Sequence, residues 1–227
     1  MARRVRAFSR ETRLRIARVS AGAEAYYRAP GRQFPWRDER NPYRLAVAEI
    51  LLQKTRAESV MPVFLDMIDE YPTAKVLAGS SLEKIEVRLR PLGLSRKRSE
   101  QLLGMAAAVT ERGTRILSDW KTALASVPGL GAYGARATAC FGSGKRVGIV
   151  DANVARILRR VFRIQTRDPR AIIYQRYADA IAEFSEAVRD TNFGLLDIGA
   201  AVCLQRPICE RCPFRDFCPR YGVKARS

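Results

Sequence analysis

The segment Val127-Pro-Gly-Leu-Gly131 separates two stretches of helical periodicity, and the fold prediction depends on it. Two glycines around one apolar residue let the backbone turn tightly and leave N–H groups exposed at the start of the next helix. A helix start of this kind attracts phosphate groups. Taken alone, the same pattern is also typical of an ordinary corner between two helices.

Helical periodicity dominates the chain on both sides of this turn, and runs of alternating β-branched residues are scarce. The helices are joined by short turns marked by Gly or Pro, without an internal repeat or a low-complexity linker. The sequence therefore predicts an all-α fold. The predicted helices cover residues 11–28, 41–54, 57–71, 73–78, 82–89, 95–112, 119–126, 132–141, 152–162, 170–184 and 192–202.

The composition excludes several kinds of enzyme and favours a polyanionic partner. The 227 residues include 41 Lys and Arg, 23 Asp and Glu and no His, for a net charge of +18. Without His there is no Ser-His-Asp triad, no His-ligated zinc hydrolase and no His-containing deaminase site. Acid–base chemistry must use Asp, Glu, Tyr, Lys or Cys. The charge indicates a nucleic-acid partner, although codon usage is a second explanation for part of the arginine excess.

The chain has no apolar run long enough to span a membrane. Residues 1–6 are basic, and because no apolar segment follows them, we do not expect a secretory signal. We expect a cytoplasmic, nucleoid-associated protein, in which structural disulfides are uncommon. The cysteines are therefore candidate metal ligands.

Four of the five cysteines fall within sixteen residues, with spacings of five, two and five residues between them: Cys203, Cys209, Cys212 and Cys218. Zinc usually takes paired C-x2-C knuckles, and only one such pair is present. The uneven spacing favours a [4Fe–4S] cluster over zinc or disulfides. Cys140 stands apart and is interpreted as a buried thiol. Four arginines in the same loops predict either a phosphate-contacting patch or ordinary solvated surface: Arg206, Arg211, Arg215 and Arg220.

Two residues downstream of the glycine turn are candidates for chemistry. Tyr133 lies two residues after Gly131, and Asp151 follows Val147-Gly-Ile-Val150 at the start of a predicted helix. An Asp in that place is by default an N-cap. The same carboxylate, next to a flipped nucleotide, could also stabilise a developing positive charge.

The turn, the Val-Asp-x-Asn-Val segment at residues 150–154 and the four-Cys loop together resemble the helix-hairpin-helix DNA glycosylase superfamily of endonuclease III and MutY. The resemblance runs from about Gln33 to Cys218. Three segments, at residues 34–37, 41–43 and 49–55, resemble the N-terminal block of MutY and of the MIG-type mismatch thymine glycosylases. Leu92-Gly-Leu-Ser95, with the segment at residues 98–102, resembles the MIG type most.

The resemblance implies two all-α domains with the active site in the cleft between them. Residues 35–145 would form a six-helix barrel that ends in the helix-hairpin-helix. Residues 1–34 and 146–227 would form a discontinuous domain that carries the [4Fe–4S] cluster loop, residues 203–218. The sequence departs from the family in one place, because the first Cys gap is five residues where six is usual, which affects the local loop shape.

The resemblance also implies roles for particular residues. Asp151 matches the catalytic aspartate, and Glu49 matches a glutamate that acts as acid and base. Tyr133 stands where bifunctional enzymes carry a Schiff-base lysine. Cys203, Cys209, Cys212 and Cys218 match the cluster ligands. The residues expected to contact DNA are Gln53, Lys54, Leu94, Ser95, Gly129, Gly131, Arg136 and Asn153, with Arg96, Lys97 and Arg98 as further phosphate contacts.

The chemistry of base release agrees with these residue types. A glycosylase flips the nucleotide out of the stack, and cleavage of its C1′–N bond builds oxocarbenium character on the sugar. Asp151 would stabilise that charge or activate water. Glu49 lies between apolar neighbours, where a carboxylate is costly unless it faces a cleft. Tyr133 has no amine and cannot form a Schiff base. A second interpretation of Tyr133 is an aromatic side chain packed in the core. Lys121 or Lys145 could supply an amine in its place.

We therefore predict a monomeric, monofunctional glycosylase that excises thymine, and also uracil, opposite guanine in double-stranded DNA. One alternative is a MutY-like adenine glycosylase, against which stand the short chain after the cysteines and the absence of an aromatic at Ser95. Another is an endonuclease III-like glycosylase and lyase for oxidised pyrimidines, against which Tyr133 stands. A non-catalytic iron–sulfur DNA-binding module is the alternative from a different class.

Overall fold

A computed structural model describes residues 8–29 and 32–223 of the chain. These residues form twelve α-helices and three short 3-10 helices, and they include no strand, so the predicted all-α class is confirmed. Residues 1–6, expected not to be a secretory signal, lie outside the described part. None of the helices in the described part is both long and apolar enough to cross a membrane.

The helices follow one another through short connections. They are α1 (Arg10–Arg28), α2 (Pro35–Asp38), α3 (Pro42–Leu51), α4 (Ala57–Glu70), α5 (Ala74–Ala78), α6 (Leu82–Leu89), α7 (Ser95–Arg112), α8 (Trp120–Ser126), α9 (Ala132–Ser143), α10 (Ala152–Phe162), α11 (Ile172–Phe184) and α12 (Val188–Ala201). The 3-10 helices are Arg90–Leu92, Thr114–Leu117 and Cys209–Arg211.

The chain divides into two compact units. The contiguous unit is Gln33–Lys145, and the discontinuous unit combines Met1–Arg32 with Arg146–Ser227. Each unit buries its own apolar residues.

In the discontinuous unit, α1 packs against α12 so closely that their backbones touch. A Cβ at Gly194 would overlap the carbonyl of Ala23, so this crossing requires glycine. The fully buried Ile16, Ile157 and Ile198 come from α1, α10 and α12 and share one core. This core supports α10, the helix that Asp151 precedes.

Buried side chains fix the extended segment at residues 147–150, which leads to Asp151. The Gly148 N–H donates to Asp179 Oδ1 at 3.0 Å, and the Ile149 N–H donates to Asn192 Oδ1 at 3.0 Å. The Asn192 amide donates in turn to the Val147 carbonyl at 3.1 Å. These hydrogen bonds therefore hold the segment before α10 in one conformation.

In the contiguous unit, α3 packs against α9, and α7 packs against α5 and α6. Asn41 caps α3 by accepting a hydrogen bond from the Tyr43 N–H at 3.0 Å, and Pro42 occupies the first helical position. The α3–α9 contact is close at Gly142, where a Cβ would lie 3.1 Å from Pro42 Cα.

Candidate functional site

The glycine turn lies between α8 and α9 and is held from two sides. Gly129 has a φ of +83°, and a Cβ there would lie 2.8 Å from the Cβ of Gln101 on α7. The Gln53 side chain donates to the Gly129 carbonyl at 2.7 Å. Gly131 is exposed and caps α9 without a side-chain hydrogen bond, so this helix start is a candidate site for an anion.

Glu49 of α3 is buried against α9. Its side chain is 8% exposed, and the Cβ position of Gly134 lies 3.6 Å from Glu49 Cβ. Burial alone raises the pKa of Glu49 to about 8, since no partner offsets the loss of water. The Glu49 carboxyl is therefore protonated at neutral pH and can donate a proton.

Tyr133 is half-buried in the first turn of α9, directly before Gly134. The helices α3 and α9 pack together at Gly134, next in the chain to Tyr133 and beside Glu49.

Asp151 is the N-cap of α10, and both of its carboxylate oxygens are held. Oδ1 accepts from the Val154 N–H at 2.7 Å, and Oδ2 accepts from the Asn153 amide at 3.0 Å. The side chain is half-buried. A carboxylate oxygen offers more than one acceptor site, so these bonds orient the group and leave lone pairs for a ligand.

Asn153 is itself positioned by Arg156, one turn further along α10. The Arg156 guanidinium donates to Asn153 Oδ1 at 2.8 Å, to the Gly199 carbonyl at 2.8 Å and to the Cys203 carbonyl at 2.6 Å. A side chain at Gly199 has no room, because its Cβ would lie 2.7 Å from Asn153 Cβ. A chain of hydrogen bonds thus connects Asp151 to the first residue of the cysteine loop.

The four clustered cysteines line one pocket, together with Arg160 and Val202. The Arg160 guanidinium is buried, donates to Cys203 Sγ at 3.2 Å and also donates to the Leu204 carbonyl at 2.6 Å. The short first gap closes through a bond of 3.0 Å from the Ile208 N–H to the Val202 carbonyl. A gap of five residues therefore still brings Cys203 to the pocket.

The arrangement and the protonation of these thiols determine what they could bind. Among the described residues, no group of three or more Cys, His, Asp or Glu side chains is placed to hold a single metal ion. Burial raises the pKa of the Cys212 thiol to about 11, so a ligand must displace its proton. The nearby Arg206, Arg211, Arg215 and Arg220 are all exposed.

Two loop tips beside the glycine turn carry residues with left-handed backbones. Lys54 is exposed with a φ of +56°, and Leu94 has a φ of +50° and is 58% exposed. A leucine in this conformation is unusual, since left-handed backbone costs free energy. Ser95 is half-buried, and its hydroxyl donates to Glu86 at 3.3 Å.

Two arginines that the sequence assigned to phosphate contacts are buried instead. Arg136 is 6% exposed, and its guanidinium lies 4.0 Å from the centre of the Trp120 ring, which favours packing over a phosphate contact. Arg98 is 2% exposed and donates to loop carbonyls. The missed signal is helical spacing, because Arg98 stands four residues before the buried Leu102 on the same stripe of α7.

Known proteins resemble this chain over most of its length. Residues 47–184 match the family model described as HhH-GPD superfamily base excision DNA repair protein. A thymine-DNA glycosylase of Aeropyrum pernix is 30% identical over 206 residues, 87% of this chain and 91% of the relative. A thymine/uracil-DNA glycosylase of Methanothermobacter thermautotrophicus is 31% identical over 204 residues, 86% of this chain and 90% of the relative.

Two further similarities bear on the alternatives. An adenine DNA glycosylase of Homo sapiens is 31% identical over 205 residues, 86% of this chain but 38% of that relative. The solved structure of a thermostable thymine-DNA glycosylase superimposes with a TM-score of 0.82 at 28% identity, covering 92% of this chain and 98% of that one. The architecture and the full length of the thymine-DNA glycosylase are thus both matched.

Proposed function

The chain belongs to the HhH-GPD superfamily of base excision DNA repair proteins and is a DNA glycosylase, and we propose that it removes thymine or uracil mispaired with guanine. Glycosylases of the thymine and thymine/uracil type align with it along about nine tenths of their own length. The human adenine glycosylase extends well beyond the aligned part. The relatives of the thymine and thymine/uracil type, and the solved thymine-DNA glycosylase with a TM-score of 0.82, support the thymine and uracil assignment.

The observation that carries the proposed mechanism is the orientation of Asp151. A carboxylate with both oxygens held by hydrogen bonds keeps a fixed direction during the reaction. We propose that it stabilises the positive charge that builds on the sugar as the C1′–N bond breaks, and that it orients the attacking water. Asn153 would act as a positioning residue for this carboxylate.

Glu49 is proposed as the general acid. Because burial raises the pKa of Glu49 to about 8, the protonated form predominates at neutral pH and can give its proton to the departing base. Tyr133 offers a phenol where a lyase needs an amine, so we propose that the enzyme releases the base and leaves the strand intact.

DNA contacts are proposed at the start of α9, at Gly129 and Gly131, and at the loop tips that carry Gln53, Lys54 and Leu94. The exposed arginines of the cysteine loop add phosphate contacts, and neutralised phosphates make such binding strongly salt-dependent. We expect a monomer that acts on DNA in the cytoplasm, at the nucleoid.

The cysteine pocket is proposed to hold a [4Fe–4S] cluster. Four thiols line it, and the uneven spacing of these cysteines along the sequence, with a single C-x2-C pair, supports a cluster over zinc. Such a cluster would fix the shape of the loop from Cys203 to Cys218, and no step of base release passes through it. Iron and sulfide in protein purified without oxygen would support this, whereas stoichiometric zinc would refute it.

The test of the function is a base-release assay on duplexes that carry T·G, U·G, A·G, A·8-oxoguanine or thymine glycol. We expect release from T·G and U·G. Activity on A·8-oxoguanine without activity on T·G or U·G would overturn the proposal in favour of an adenine glycosylase. A covalent adduct trapped by borohydride would refute the monofunctional assignment.

A further inference from the structure

Arg98 is a buried cation of the contiguous unit, and the proposed chemistry does not use it. Its side chain extends from the first turn of α7 and is 2% exposed. One guanidinium nitrogen donates to the carbonyls of Leu92 at 2.8 Å and Gly93 at 2.6 Å. The other donates to the Gln53 carbonyl and the Thr55 hydroxyl, both at 2.5 Å.

All four of these acceptors are neutral, so the cation is buried without a carboxylate partner. Burial lowers the pKa of Arg98, which reflects the cost of taking the charge out of water. Burying an arginine at this position costs more free energy than burying an apolar side chain of similar size. Its bonds, however, reach two separate loops at once, which a shorter or apolar side chain cannot do.

The two loops are those that carry the left-handed residues. Thr55 and Gln53 flank Lys54, and Leu92 and Gly93 precede Leu94. Left-handed backbone is unfavourable for lysine and leucine, so something must hold each tip in place. Gln53 extends the same connection to the glycine turn through its bond to the Gly129 carbonyl. Three loops of one unit are thus joined by two side chains.

We propose that Arg98 is a positioning residue that locks the tip carrying Leu94 to the tip carrying Lys54, so that both enter a mismatched duplex at a fixed spacing. This inference rests on the proposed glycosylase function. It predicts that Arg98 matters for opening the duplex and extruding the base, and matters little once the base is already unstacked.

The experiment compares Arg98→Met and Arg98→Lys with Arg112→Met, which removes an exposed arginine from the end of the same helix. Single-turnover base release is measured on a mismatch that the wild type processes and on the same base in single-stranded DNA. We expect Arg98→Met to lose about tenfold to a hundredfold on the duplex and less than about threefold on the single strand. Arg98→Lys should fall between, and Arg112→Met should match the wild type.

A double-mutant cycle with Leu94→Ala separates positioning from general damage. If Arg98 acts through the tip, Arg98→Met should cost little further activity once Leu94 is truncated. Hydrogen exchange of free Arg98→Met should quicken at residues 53–55 and 92–94 together, a readout independent of activity. Equal losses on duplex and single strand, additive effects in the cycle, or unchanged exchange at both tips would overturn the inference.

A separate outcome would concern the function itself. If the wild type released no base from any of the duplexes, the glycosylase proposal would fail, whatever the exchange data showed. If the wild type were active and only the Arg98 comparisons failed, the positioning role alone would be wrong.

Discussion

Replacing Glu49 by Gln tests whether the buried Glu49 carboxyl is protonated in the folded protein at neutral pH. The pKa of Glu49 is about 8 in the folded chain against an ordinary value of 4.5. Below pH 4.5 the carboxyl is protonated in both states, so its contribution to stability is complete there. Between pH 4.5 and about 8 the unfolded chain loses the proton while the folded chain keeps it, which lowers stability by about 1.4 kcal/mol per pH unit.

The free energy of unfolding is therefore lower by about 3 kcal/mol at pH 7 than below pH 4.5, and this loss levels off at about 5 kcal/mol above pH 8. Glutamine does not titrate, and its neutral amide resembles the protonated acid in size and polarity. We therefore expect Glu49→Gln to match the wild type in stability near pH 4.5 and to exceed it increasingly as the pH rises. Activity should change in the opposite direction, falling by about a hundredfold to ten-thousandfold because the amide has no proton to give.

The assay is urea unfolding of both proteins at pH 5, 7 and 9 without oxygen, followed by circular dichroism. Glu100→Gln is the matched control, because its side chain is 56% exposed and such changes usually shift stability by less than about 0.5 kcal/mol. In parallel, the rate of base release by the wild type should fall about tenfold between pH 7 and pH 9, as the acid form disappears. A stability difference that does not grow with pH, or a Glu49→Gln variant that is less stable than the wild type at pH 9, would refute the reasoning.

Three further changes have defined outcomes. Asp151→Asn keeps a good N-cap, so melting should change little while base release falls by about a hundredfold or more in a single-turnover assay with DNA binding retained. Tyr133→Lys places an amine at the start of α9, and a borohydride-trapped adduct on an abasic duplex should appear, which the wild type should not form. Gly194→Ala drives a Cβ into the Ala23 carbonyl and should destabilise the fold by about 2 kcal/mol or more in thermal unfolding, whereas Gly79→Ala, with its nearest neighbour at 3.6 Å, should not.

Local features of the fold were predictable because local rules determine them. The bounds of α7, residues 95–112, agree with the prediction, since an apolar stripe and Gly113 define that helix. The start of α12 was predicted four residues too late, at Asn192 instead of Val188. In the structure the Asn192 amide is buried within α12 and binds the backbone of residues 147 and 149, contacts that the sequence alone does not show.

The candidate site was also predictable only where local sequence determines it. Asp151 was placed at a helix start from its neighbours alone, and the structure has it there. The sequence could not reveal that Arg156 supports Asn153, or that Arg98 is buried beneath two loops, because these contacts join residues brought together only by packing. Both Arg206 and Arg98 were predicted to contact phosphate groups, and the structure leaves Arg206 exposed but buries Arg98.

The missing histidines and the burial of Glu49 are connected. A proton donor at neutral pH needs a pKa near or above 7, and imidazole provides one without help from the fold. In a chain without histidine, a carboxyl can take this role only if its pKa is raised, and burial raises the pKa of Glu49. The protonation of Glu49 therefore depends on the packing of α3 against α9. Any opening that lets water reach Glu49 would lower its pKa and remove its proton. Mutations that loosen this contact, including ones at Gly134, should therefore shift the alkaline limb of the base-release profile to lower pH before they unfold the protein.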